Sequence, residues 1–271
     1  MKTWVKYIGR ALLGLLGLIA LAIAAAVGLV IADGAAGRSA ADYTNTSFEA
    51  SDGSAVGAYL TQPEEPGPHP AVLMVHEFWG MNQPITELAD RLAEQGYVVL
   101  APDTYRGQTT ALVPRALYLR VTVDEGRVDS DMQAAFDYLA SLPEVDAGRI
   151  GVIGFCYGGG VALRHAIQNP AIRATVNLYG DTPADPVVFG ALLGADAGPV
   201  LGIFGADDAM IPLADVQAYE AAMTAAGIQN TVTVYPGVGH AFVQPGVIDQ
   251  PGSSRDAWLD LIAFFDAHLK A

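Results

Sequence analysis

The chain has 271 residues, is 52 % hydrophobic and contains 30 glycines, enough for one α/β domain of ordinary size or two small ones. Its single cysteine, Cys156, excludes an intrachain disulfide framework and a cysteine-rich zinc site; His76-Glu77 runs into Phe78-Trp79-Gly80 without the second histidine of a zinc helix, so no metal site and no cofactor are expected. Net charge is −15; apart from Lys2, Lys6 and Arg10, the remainder carries 11 basic and 29 acidic residues, a net of −18 that repels phosphate backbones and argues against nucleic acid as a partner.

The first element is apolar. Ala11 to Ala32 contains no charged residue. As a helix it extends roughly 33 Å, enough to cross a hydrocarbon core. Trp4 and Tyr7 stand where interfacial aromatics would lie. Lys2, Lys6 and Arg10 precede the run, and only Asp33 and Arg38 closely follow it. The positive-inside rule then puts the N-terminus in the cytoplasm and the body outside. The rival reading is a cleavable signal peptide, with Gly34-Ala35-Ala36-Gly37 open to a peptidase. In both readings the body works outside the cytoplasmic membrane, either anchored to it by residues 11–32 or secreted. The expected organisation is an anchor or signal at 1–34, a small polar linker at 35–45, and one folded domain at 46–271.

Thr46 to Ala50 and Ala55 to Thr61 read as strands around a Ser51-Asp52-Gly53-Ser54 turn. Ala71 to His76 and Tyr97 to Ala101 are apolar runs suited to strands buried on both faces. Between them, Ile85, Leu88, Ala89 and Leu92 set a helix over Ile85 to Gln95 that stops at Gly96. Thr110 to Val121 and Val128 to Leu142 read as helices. Arg149 to Phe155 reads as a strand and Gly159 to Asn169 as a helix. Strands follow at Ala174 to Tyr179, Val200 to Phe204 and Thr231 to Tyr235, with helices at Leu213 to Ala226 and Ser254 to Lys270. Strands alternating with helices predict an α/β fold with a mostly parallel central sheet flanked by helices.

Gly154-Phe155-Cys156-Tyr157-Gly158-Gly159 lies at a strand-to-helix turn. Small-x-nucleophile-x-small at such a turn is the nucleophile elbow of an α/β-hydrolase fold. In an open α/β sheet, active groups gather beyond the C-terminal strand ends. Asp207 and Asp208 follow one strand, and His240 follows the next. The order nucleophile, acid, histidine is that of the fold. A free thiol, with a pKa of about 8.5, is mostly protonated at neutral pH. His240 can take that proton and later pass one to the leaving group. An aspartate fixes the imidazole tautomer, and backbone N–H groups hold the oxyanion.

These residues resemble the dienelactone hydrolases, an α/β-hydrolase family with a Cys-His-Asp triad. The resemblance covers roughly Thr46 to Leu269. It rests on Val75-His76-Glu77-Phe78-Trp79-Gly80-Met81-Asn82, Ala101-Pro102-Asp103-Thr104-Tyr105, the Cys156 elbow, Gly205-Ala206-Asp207-Asp208 with Ile211-Pro212, and Gly239-His240-Ala241-Phe242. It implies that Asp208, four residues before Pro212, is the triad acid. It implies that Glu77 contacts the resting nucleophile and helps generate the thiolate. The N–H groups of Phe78 and Tyr157 would be the oxyanion donors, and Trp79 and Tyr105 would line the pocket. The family's lactone hydrolase binds its substrate carboxylate with two arginines. Arg106 stands near the first place, displaced by one residue, and Gln244 stands at the second. A neutral amide cannot clamp a carboxylate as guanidinium does, which argues against dienelactone itself as substrate.

The expected function is hydrolysis of a small ester or lactone through a Cys156 thioester, with His240 as base and Asp208 as orienting acid. Two alternatives stay open: acyl transfer through the same triad, and a non-catalytic ligand-binding version of the fold.

Overall fold

A computed structural model describes residues 2–35, 39–193 and 198–271. The first helix, α1 (Lys2–Ala35), is long and apolar enough over Leu12–Ala35 to cross a membrane, and its apolar side chains stand exposed. The Trp4 side chain, and Ala36, Gly37 and Arg38 beyond the helix, lie outside what is described. The segment read as a linker carries local structure. Ala40–Tyr43 forms a 3-10 turn capped by Ser39, Ala40 is buried, and Ser39 bridges to Gln108. This segment is therefore packed onto the body.

The body begins with strands β1 (Thr46–Glu49), β2 (Ala55–Thr61) and β3 (His69–Val75), then helix α2 (Gln83–Ala93) and strand β4 (Val98–Pro102). Helices α3 (Val113–Thr122) and α4 (Glu125–Ser141) lead to strand β5 (Val145–Phe155), helix α5 (Tyr157–Gln168) and strand β6 (Ile172–Leu178). A 3-10 segment at Pro186–Leu193 precedes β7 (Val200–Gly205), α6 (Leu213–Ala225), β8 (Asn230–Tyr235) and α7 (Ser253–Leu269). Among the described residues the strands form one sheet in the order β1-β2-β4-β3-β5-β6-β7-β8. The β1–β2 and β2–β4 pairs are antiparallel, and all others are parallel.

Local chemistry explains the element ends. Asn82 caps α2 by accepting the Ile85 N–H at 3.2 Å. Asp124 caps α4 through the Arg127 N–H, which starts that helix three residues earlier than its apolar spacing suggests. Helix α3 starts at Val113 with Pro114 in its first turn, not at Thr110, because proline's fixed φ suits a helix start. Strand β5 starts at Val145, which pairs with His69 ahead of an irregularity in register. The Asp146-Ala147-Gly148 stretch inside it reads locally as a turn. The buried faces of β3 and β5 account for their continuous apolar runs: Val72, Leu73, Met74, Val75, Val152 and Ile153 are fully inaccessible. Each such side chain contributes about 1.5–3 kcal/mol by leaving water.

Parallel register positions the chemistry. Val75 pairs with Gly154, so the residues after β3 stand beside those after β5. Phe155 pairs with Leu178, and Gly205 at the end of β7 pairs with Tyr235 at the end of β8. Glu77, Cys156, Tyr179, Asp208 and His240 thus all emerge from the same end of the sheet.

Candidate active site

Cys156 sits between β5 and α5 with φ 53° and ψ −117°, a conformation an L-residue rarely adopts. The turn is too tight for side chains on either flank. A Cβ on Gly154 would stand 1.9 Å from the Gly158 carbonyl oxygen, and one on Gly158 would stand 2.3 Å from that of Val75. Helix α5 therefore begins at Tyr157, immediately after the nucleophile position, and presents its first N–H groups there.

The thiol is largely buried. Burial, with the Glu77 carboxyl as the second cause, pushes it up to about 11, opposed by the N–H groups of Tyr157 and Phe78 directed at the sulfur. The two backbone donors named from the sequence thus converge on one point beside Cys156. Glu77 is buried too, and desolvation raises its carboxyl to about 7. Its Oε1 has no hydrogen-bond partner among the described residues. Behind it, His76 donates from Nδ1 to the Glu77 carbonyl at 2.7 Å and accepts the Thr104 hydroxyl on Nε2 at 2.9 Å. Burial of the fully inaccessible ring holds His76 neutral, its pKa pushed down to about 4, against the opposing effect of the Glu77 carbonyl bond.

His240 Nδ1 donates to Asp208 Oδ2 at 2.7 Å. Asp208 Oδ1 accepts the N–H groups of Met210 at 2.7 Å and Ile211 at 3.1 Å. The carboxylate is buried and held at both oxygens, whereas neighbouring Asp207 is exposed. The His240 Nε2 is buried and unpartnered among the described residues. A cavity of about 310 Å³ joins these groups, lined by Cys156, His240, Phe78, Tyr157, Tyr179 and Leu117, among others. It brings together a thiol, an oriented imidazole and two N–H donors, a set that acyl chemistry can use.

The expected substrate residues divide. Trp79 and Gln244 line a neighbouring cavity of about 380 Å³, on which Glu77 also borders. Trp79 packs on Phe78 with ring centroids 4.3 Å apart, and Gln244 Nε2 donates to the Ala241 carbonyl at 3.1 Å. Arg106 and Tyr105 do not line the Cys156 cavity. Both border a separate cavity, where Tyr105 packs against Tyr157 and His76. Arg106 forks onto Asp131 through Nε at 2.9 Å and Nη2 at 2.5 Å, and holds Asp52 through Nη1 at 2.8 Å. Asp131 is 1 % exposed, and a carboxylate so buried needs a cation, which Arg106 and Arg127 supply.

Sequence reading missed Tyr179, Arg120 and Leu117. Tyr179 directly follows β6, and its ring packs 5.3 Å from that of His240. The strand-end rule, applied to β6, finds it. Arg120 lies over the Tyr157 ring at 5.2 Å and pairs with Glu125 at 3.3 Å. Nothing local signals that α3 crosses the cavity mouth, because that contact is long-range.

Residues 56–269 match the dienelactone hydrolase family. A Methylorubrum extorquens protein with the provisional name carboxymethylenebutenolidase is 34 % identical over 226 residues, covering 78 % of this chain and 76 % of that one. A Klebsiella pneumoniae protein provisionally named a dienelactone hydrolase superposes with TM-score 0.71 at 29 % identity, over 82 % of this chain and 98 % of that chain. A dienelactone hydrolase-like promiscuous phosphotriesterase from metagenomic libraries gives TM-score 0.68 at 25 % identity, over 82 % and 97 %. With the elbow, the strand-end residues and this similarity together, the chain belongs to the dienelactone hydrolase family of α/β-hydrolases and is a carboxylic ester hydrolase.

Proposed function

We propose that Cys156, His240 and Asp208 act as a triad that hydrolyses a small ester or lactone through a thioester. The observation that carries this reading is the cavity shared by Cys156, His240 and Phe78, with the N–H groups of Phe78 and Tyr157 aimed at the sulfur. At rest the thiol is protonated and occupies the place an oxyanion would take. On substrate binding the sulfur turns towards His240 Nε2 and gives up its proton there. Asp208 stabilises the resulting imidazolium. Sulfur attacks the carbonyl carbon, and the oxyanion is held by the Phe78 and Tyr157 N–H groups, each worth about 3–4 kcal/mol in the transition state. Collapse expels the alkoxide oxygen, which takes the proton from His240. Water, deprotonated by His240, then cleaves the thioester and releases the acid.

Glu77, beside the sulfur with its carboxyl raised to about 7, offers the resting thiol a second proton acceptor once it is ionised, and taking the proton removes the charge that otherwise opposes the thiolate. Trp79 and Gln244, beyond Glu77, are placed to contact the part of the substrate that extends past the reacting carbonyl. In this reading α1 is an uncleaved anchor and the body lies outside the cytoplasmic membrane. Support comes from Lys2, Lys6 and Arg10 before the span and from the exposure of most of its apolar side chains. The test is turnover of short p-nitrophenyl esters, with mass spectrometry of the acylated protein. Wild-type turnover with an acyl group on Cys156, and loss of about 10³-fold in Cys156→Ala, is expected. Turnover that survives Cys156→Ala would sink the mechanism.

A further inference from the structure

Helix α3 turns an apolar face to solvent. Val113, Leu117, Tyr118 and Val121 are exposed, Val121 at 75 %, while Ala116 and Leu119 on the opposite side are buried. At 100° per residue the exposed apolar positions, with Pro114, subtend about 140° of the helix. Such a face is out of place on a body with a net charge of −18.

The end of α1 is fastened beside this face. Asp33 accepts a hydrogen bond from the Thr110 hydroxyl, just before α3. The Arg115 guanidinium lies 5.1 Å from the Tyr118 ring centroid and 3.4 Å from where a Cβ on Gly34 would stand. Along α1, Ala26, Val30 and Asp33 are half-buried in a stretch otherwise exposed. Their i, i+4, i+7 spacing is one helix face, and α1 packs on α3. The apolar segment Leu12–Ala35 is about 36 Å long as a helix, against a hydrocarbon core of about 30 Å. The part from Ala26 onward covers about its last 14 Å, so a helix packed on it lies at the membrane interface.

The same helix borders the cavity of Cys156. Leu117 is both exposed on the apolar face and part of the cavity wall, and Arg120 lines that wall one turn on. Met210, 67 % exposed, and Ile211 extend the apolar rim.

We propose that α3 lays its Val113, Leu117 and Val121 face on the outer surface of the bilayer that α1 spans, so that the Cys156 cavity takes a lipophilic ester directly from that bilayer. This rests on the anchored-hydrolase reading above. The occupant is a phospholipid surface because the face continues from an apolar helix end of membrane length. The acidity of the body argues for apolar insertion over attraction to anionic headgroups.

The full chain is reconstituted in phosphatidylcholine vesicles with brominated acyl chains. Val121→Trp is compared with Leu259→Trp, an exposed site on α7, which packs on β5 and β6. Stronger bromine quenching at 121 is expected; equal quenching at the two sites overturns the docking. In the same vesicles the rate on p-nitrophenyl decanoate, which partitions into lipid, is divided by the rate on the acetate. Val113→Asp with Val121→Asp, neither of which lines the cavity, is expected to lower this ratio roughly tenfold while leaving the acetate rate intact. An unchanged ratio overturns delivery from the bilayer. Intact mass of the membrane-extracted protein separates the premises. A mature chain beginning after residue 35 overturns the anchor and the docking together. An intact chain with strong quenching at 121 but no acetate turnover supports the docking and overturns the hydrolase reading.

Discussion

The His240 imidazole is engaged on one side only: Nδ1 is bonded to Asp208 Oδ2 at 2.7 Å, while Nε2 is buried and unpartnered among the described residues. A buried polar atom without a partner costs about 1–3 kcal/mol. His240 borders the same cavity as Cys156, and in the proposed mechanism Nε2 is the acceptor of the thiol proton.

Asp208→Asn should therefore lower kcat by about 10³–10⁴ and leave folding largely intact, because the amide no longer selects the tautomer with a free Nε2. Asp207→Asn, at an exposed neighbouring site, should stay near wild type. Steady-state kinetics on a short p-nitrophenyl ester decide between them; equal losses in both variants would reject the assignment of the acid.

Glu77 couples activity to stability with opposite signs. Its carboxyl titrates at about 7 in the fold against an ordinary 4.5. The fold binds this proton more tightly than the unfolded chain does, so the group's stabilising contribution is complete below pH 4.5 and is lost as pH rises through 7. Glu77→Gln should raise the melting temperature at pH 8, by a difference of order 2 kcal/mol, and by much less at pH 5. The same variant should lower ester turnover and remove the rise in rate through pH 7. Calorimetry at both pH values with a pH–rate profile checks both halves; a variant less stable than wild type at pH 8 contradicts the account.

Arg106 and Arg120 should separate by what each variant loses. Arg106→Gln leaves the buried Asp131 with Arg127 alone, and should destabilise the fold by about 1–3 kcal/mol with KM unchanged. Arg120→Ala, at the wall of the Cys156 cavity, should change KM with a smaller effect on stability. Denaturant unfolding and KM measured on both variants test the contrast.

Gly158→Ala should prevent correct folding of the elbow. The added methyl would meet the Val75 carbonyl oxygen at 2.3 Å, a backbone atom in the central strand β3 that cannot move aside. Soluble yield and circular dichroism provide the readout, with Gly190→Ala, where a Cβ meets nothing within 4 Å, as the comparison.

Much of the site is legible before folding because its signals are local. Cys156 announces itself through glycines that a tight turn requires, and the Asp207-Asp208 pair and His240 through their order after successive apolar runs; the choice of Asp208 rests on the family resemblance. Burial on both faces makes residues 71–75 of β3 and 150–155 of β5 unbroken apolar stretches, so their ends, and the residues just beyond, are marked in the chain. The same logic fails for Arg106. Its position after Tyr105 is a local feature, but its partner Asp131 lies 25 residues away on helix α4. Which carboxylate a guanidinium meets is set by packing, and a buried acid outcompetes an open cavity for it.

The amino-acid order alone identifies the parallel α/β architecture, the elbow and the apolar N-terminal helix, because periodicity and turn chemistry act over a few residues. Folding in three dimensions assigns what depends on distant elements meeting. The Val75–Gly154 register brings Glu77 and the Phe78 N–H to Cys156, while packing of other elements places Trp79 and Gln244 with Glu77 at one cavity and pairs Arg106 with Asp131. Packing also brings the end of α1 against α3, the helix whose Leu117 and Arg120 line the Cys156 cavity. Such contacts join residues far apart in sequence, and no short-range pattern encodes them.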